Sequence, residues 1–156
     1  MTTNRYLCRN KYYGRSLNDD GLRSSLVQFF HNGVRLRTEI LQPLLDSLNE
    51  LLTAVNQLSS FRFFTSSLLI IYDGFEPSNG SCCNSCDTLP VSVALPWHQT
   101  PPFPLRPIDV RVIDFARATH RDMNHDFPVY SGPDEGFLFG LKNMIALVEE
   151  LIQSGA

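Results

Sequence analysis

Phe61-Arg-Phe-Phe-Thr-Ser-Ser-Leu-Leu-Ile-Ile-Tyr72 and Asp109-Val-Arg-Val-Ile-Asp-Phe115 decide the fold. The first stretch is rich in aromatic and β-branched residues and runs into Asp73-Gly74, a strand followed by a turn. The second is shorter and alternates in the same way. Between them, residues 75–107 carry seven prolines, several serines and three of the four cysteines. That composition cannot supply a core and is expected to form a disordered insertion. With it set aside, the two strands pair as an antiparallel hairpin.

Helices are expected on either side. Asn18-Asp19-Asp20 can cap free amides, and Leu22, Leu26, Phe29 and Phe30 follow at helical spacing before Asn32-Gly33 stops the run. A longer helix presents Ile40, Leu41, Leu44, Leu45, Leu48, Leu51, Leu52 and Val55 on one broad face, with Pro43 requiring a place near its start or at a kink. The last helix spans residues 137–152, with Leu138, Leu141, Ile145, Val148 and Ile152 inward. Tyr6 to Tyr13, ending at Gly14, reads as a short strand or turn, and the polar stretch after Phe115 as irregular. The class is α+β: helices on a small antiparallel sheet.

Net charge is −3, but residues 1–37 hold seven basic residues against Asp19 and Asp20, while the remainder is acidic. A basic N-terminal third suits a phosphate-rich ligand, and a solvated surface equally. No apolar run reaches the roughly 18–20 residues that span a bilayer, so no membrane partner is expected. Cys82, Cys83 and Cys86 lack the ligand count of a structural zinc site and read as free thiols on a loop, with Cys8 apart. The start has no apolar signal segment, and a cytoplasmic or nuclear protein is expected.

Chemistry concentrates at Asp114, a carboxylate at the end of an apolar strand. Phosphoryl transfer from ATP needs hard oxygen ligands that hold Mg²⁺ against the phosphates. An isolated Ile-Asp-Phe serves as well to cap a turn. Strand periodicity places Ser67, Leu69 and Ile71 on one face and Ser66, Leu68 and Ile70 on the other. Adjacent hydroxyls in an apolar strand are unusual, because burying one unpaired is unfavourable. One of them can meet a phosphate or a metal-bound water, or else bond to backbone.

Residues 66–74 (Ser-Ser-Leu-Leu-Ile-Ile-Tyr-Asp-Gly), 109–116 (Asp-Val-Arg-Val-Ile-Asp-Phe-Ala) and 132–141 (Gly-Pro-Asp-Glu-Gly-Phe-Leu-Phe-Gly-Leu), in this order, resemble the C-terminal signature of the inositol polyphosphate kinase family. Lys11-Tyr-Tyr-Gly-Arg15 and residues 28–37 (Gln-Phe-Phe-His-Asn-Gly-Val-Arg-Leu-Arg) resemble its inositol hexakisphosphate kinase branch. The resemblance implies that residues 1–156 are the C-terminal lobe of such a kinase. By position it implies Asp114 as the metal-binding aspartate and Ser67 as the serine near the nucleotide phosphates, with ATP and Mg²⁺ as cofactors. It implies an inositol polyphosphate as partner, with no nucleic acid. Arg117 stands where the family usually has a substrate-associated His; it is a permanent forked cation able to hold phosphate but not to carry a proton. Lys142 replaces a usual acidic residue, on an expected exposed helical face.

The family segment Pro-x-x-x-Asp-x-Lys-x-Gly does not occur in these 156 residues, and the only lysines are Lys11 and Lys142. A metal carboxylate without a phosphate-binding lysine lacks most of the electrostatic stabilisation of phosphoryl transfer. The resemblance therefore implies a truncated, catalytically silent piece whose missing N-terminal lobe leaves apolar surface exposed. A non-catalytic phosphate-ligand or protein-binding module is the alternative.

Overall fold

The computed structural model describes residues 7–74, 107–123 and 129–154. The cysteine cluster and nearly all of the expected insertion, with His125, lie outside them. Four helices and two antiparallel two-stranded ribbons follow in the order α1 (Lys11–Arg15), α2 (Asp19–Phe30), α3 (Thr38–Gln57), β1 (Arg62–Phe63), β2 (Ser67–Tyr72), β3 (Ile108–Ile113), β4 (Ala118–Thr119), α4 (Glu135–Gln153).

The long helices form where periodicity and caps agree. Asn18 accepts from Gly21 N at 2.9 Å and opens α2. On α3, Ile40, Leu41, Leu44, Leu48 and Val55 are buried, and on α4 Leu138, Leu141, Ile145, Val148 and Leu151. Leu151, rather than Ile152, occupies the last buried position of α4; Ile152 packs half-buried at the edge of the core. Pro43 sits in the second turn of α3, where it forgoes one helical bond, to the Glu39 carbonyl, while the core-facing residues on both sides of it stay buried. Leu22 and Phe29 of α2 remain exposed, so that helix contributes chiefly Phe30 to the core.

α3 packs against both α4 and β3. The β2–β3 hairpin pairs Ser67 with Ile113, Leu69 with Arg111 and Ile71 with Asp109 on one face. Leu68, Ile70, Tyr72 and Val110 from its other face pack on the core. Tyr72 donates its hydroxyl to the Phe29 carbonyl and packs edge-on to the Phe29 ring at 5.1 Å; burial raises the phenol pKa above its ordinary value. The outward face is mixed: Leu69, Ile71 and Ile113 are exposed, as is Phe115 just beyond, beside Ser67 and an Arg111–Asp109 ion pair at 2.7 Å.

Some local readings sharpen or change. Of the two readings open for the first stretch, residues 11–15 take the turn, a helical one, because the Asn10 side chain accepts from both Tyr12 N and Tyr13 N. The stretch 61–72 breaks into two strands at Phe64-Thr65, where Thr65 takes φ +62°. After Phe115 the chain is not wholly irregular, since Ala118 and Thr119 pair with Phe63 and Arg62.

Asp134 joins this second ribbon to α4. Its Oδ1 accepts from Phe137 N at 3.0 Å as an N-cap, and its Oδ2 accepts from Phe63 N at 2.8 Å. Arg62 adds bonds to the Ser131 and Gly132 carbonyls at 3.1 Å. Asp134→Ala removes both carboxylate contacts and is expected to cost about 2 kcal/mol, one cap plus one charge-assisted bond, measured by urea denaturation.

Arg37, buried at the start of α3, holds the end of β2 by donating to the Gly74 carbonyl at 3.1 Å. It also pairs with Glu39. Bonding from Arg35, opposed by desolvation and reinforced by Arg37, brings the Glu39 pKa down from 4.5 to about 2. With the folded value below the unfolded one, the stabilisation is complete above about pH 4.5 and is lost as pH falls towards 2. Glu39 is half exposed, so the effect is at most about 1 kcal/mol. Glu39→Gln should therefore lower stability at pH 7 and match the parent protein near pH 2, in paired denaturant melts.

Candidate functional site

Asp114 follows the last residue of β3 and has φ +64°, the left-handed region that Asp tolerates better than most residues. Across the hairpin Ser67 pairs with Ile113, the residue before Asp114, so Ser66 stands opposite Asp114 and Ser67 one position further along β2. The two sequence-predicted oxygen groups are thus brought to one end of one hairpin. Neither lies in packed hydrocarbon, for both residues are exposed.

The chain beyond Asp114 is fixed by aromatic packing. Phe115 meets Phe63 at 6.3 Å, and Phe63 meets Phe137 of α4 at 5.2 Å. A turn closed by Ala118 N on the Phe115 carbonyl, at 2.9 Å, then presents Arg117. Arg117 is exposed and lines a cleft of about 730 Å³ together with Phe64, Thr65, Thr119 and Met123. Asp114 follows β3 directly, Ser67 opens β2 beside it, and Arg117 stands in the turn three residues beyond Asp114. Lys142 is on the exposed face of α4, as its position in the pattern implies.

Among the described residues, no hydrogen bond or ion pair reaches the Asp114 carboxylate, and no group of three His, Cys, Asp or Glu could cage a metal. One open carboxylate fits Mg²⁺ in its usual protein setting, where one or two carboxylates share the ion with waters and phosphates. The basic N-terminal third is partly neutralised: Arg23 pairs with Glu150, and Arg35 and Arg37 with Glu39. No helix among the described residues is long and apolar enough to cross a membrane.

Residues 1–149 match the family described as "Inositol polyphosphate kinase". The chain belongs to the inositol polyphosphate kinase family. It is 42% identical over 150 residues to inositol hexakisphosphate kinase 3 of Homo sapiens, covering 96% of this chain and 36% of that protein. It is 39% identical over 168 residues to inositol hexakisphosphate kinase 1 of Rattus norvegicus, covering 97% and 37%. The chain thus spans little more than a third of these curated relatives. Among solved structures, the inositol phosphate multikinase Ipk2 of S. cerevisiae, in complex with ADP and Mn²⁺, shares the fold with a TM-score of 0.63. That match is 20% identical and covers 92% of this chain and 50% of the yeast chain.

Of the two adjacent hydroxyls, Ser66 takes the backbone alternative that the sequence left open: its Oγ donates to the Asp114 carbonyl at 3.0 Å, although which carbonyl could not be read from the sequence. The polar triplet Thr65-Ser66-Ser67, interrupting an apolar run, is the signal that marks the break.

Proposed function

We propose that this chain forms the metal- and acceptor-binding part of a kinase that passes the γ-phosphoryl group of ATP to an inositol polyphosphate, inositol hexakisphosphate first, giving an inositol pyrophosphate. The observation that carries the reading is the placing of Ser67 and Asp114 at the same end of the β2–β3 hairpin, Ser67 opposite the residue before Asp114. The names of the relatives support the substrate, and the ADP and Mn²⁺ of the yeast neighbour support a nucleotide with a divalent ion.

Asp114 would hold Mg²⁺ by a carboxylate oxygen; when bound, the ion neutralises charge on the transferring phosphoryl group. Ser67 offers a hydroxyl to the nucleotide phosphates from the outward face of β2. Arg117 offers forked donors to a phosphate of the acceptor and, being unable to lose a proton, binds without acting as a base. The exposed Leu69, Ile71 and Ile113 side chains, beside the Arg111–Asp109 pair, would face the nucleotide and the N-terminal lobe.

These 156 residues alone should not turn over, because they contain no Pro-x-x-x-Asp-x-Lys-x-Gly segment. The second reading, a phosphate-ligand module without catalysis, is favoured by Arg117 standing where the family usually has His. One assay separates them. The chain alone, and a fusion in which it replaces the matching third of human inositol hexakisphosphate kinase 3, are given labelled ATP and inositol hexakisphosphate. Transfer by the fusion only supports the kinase reading. Transfer by neither, with labelled inositol hexakisphosphate still bound, supports the module; transfer by the chain alone contradicts its assignment as an inactive part.

A further inference from the structure

We infer that Ser66 is a positioning residue for the metal carboxylate, an inference that rests on the role proposed for Asp114. Two residues in the left-handed region flank this end of the hairpin, Thr65 at φ +62° and Asp114 at φ +64°. For a β-branched residue such as Thr65 that conformation is a true outlier, and such strain persists only where surrounding structure enforces it. The Ser66 amide closes the turn on the Phe63 carbonyl at 3.2 Å, and its hydroxyl reaches across to the Asp114 carbonyl at 3.0 Å. One serine thus ties the strained turn to the strained carboxylate residue.

The magnitudes make this contact decisive. A left-handed backbone is disfavoured roughly five- to thirtyfold for an L-residue, less for Asp. A net hydrogen bond shifts an equilibrium by roughly two- to tenfold. The two are comparable, so losing the Ser66 hydroxyl lets Asp114 return to extended conformations that aim its side chain elsewhere. Ser67 is left free for a ligand, since no hydrogen bond from its hydroxyl occurs among the described residues, and its register places it outward. The adjacent hydroxyls divide the work: one holds backbone, the other faces the phosphates.

The test is titration of the ¹⁵N-labelled 156-residue chain with equimolar Mn²⁺ and ADP, which supplies the phosphate oxygens that share the ion, reading paramagnetic broadening of the amides of residues 112–116. Selective broadening is expected in the parent chain and none in Asp114→Asn. Ser66→Ala should need roughly three- to tenfold more Mn²⁺ for half-broadening, with α4 resonances unmoved. Ser66→Thr, which keeps the donor, should match the parent. Should Ser66→Ala fail to fold, the near-isosteric Ser66→Cys carries the prediction, with a smaller rise of the same sign. If Asp114→Asn abolishes broadening while the Ser66 variant titrates like the parent, the positioning role is wrong and the metal role stands. If Asp114→Asn broadens like the parent, or the parent does not broaden at all, the metal role falls and the inference with it.

Discussion

Asp114→Asn in the fusion enzyme is expected to cut phosphoryl transfer by about 10³-fold or more and leave the fold intact. The substitution exchanges one oxygen for an amide nitrogen and removes the charge, and a neutral amide is a far poorer ligand for a hard cation. A metal ion contributes several kcal/mol of charge stabilisation in such reactions, and about 4 kcal/mol corresponds to that factor. Asn is also among the few residues that accept a left-handed backbone, so φ +64° at this position is preserved. Unchanged thermal unfolding alongside lost turnover would separate chemistry from stability. Turnover within tenfold of the parent would remove Asp114 from the mechanism.

Leu48→Ala should be the most damaging change to the fold. Leu48 is fully buried on α3, within the cluster that also holds Leu44 and Val148. Truncating such a leucine costs about 3 kcal/mol, because the cavity collapses only in part. In a chain of this size that corresponds to a fall of roughly 10 °C in midpoint. Half-buried Leu51 on the same helix, truncated the same way, should cost less than half as much. Equal losses at the two positions would mean that α3 does not face α4 and β3 as described.

The elements legible in the sequence are those whose own residues bury enough apolar surface to fix them. α3 and α4 read correctly because a repeated helical stripe has a single inward solution, and even Pro43 did not break it. The hairpin was legible through two apolar runs that could only pair with one another. What escaped was set by particular contacts over short stretches. β1 and β4 have two residues each, too few for periodicity, and exist because Asp134 and Arg62 hold Phe63 near Ala118. The choice of turn over strand at Lys11 depends on one asparagine side chain. At the site, antiparallel pairing sets Ser67 opposite Ile113 and so brings the start of β2 to the end of β3 where Asp114 follows. That one of the paired serines could bond to backbone was legible, but its partner at Asp114 was not, since that depends on a left-handed residue that no pattern of types announces.

Diffraction from the chain grown with ADP and Mn²⁺ would test the central claim most directly. An anomalous peak about 2 Å from a carboxylate oxygen of Asp114, with nucleotide phosphate on its far side and the Ser67 hydroxyl within reach, is the predicted result. A nucleotide bound elsewhere, or a manganese ion held by other carboxylates while Asp114 stays bare, would contradict it.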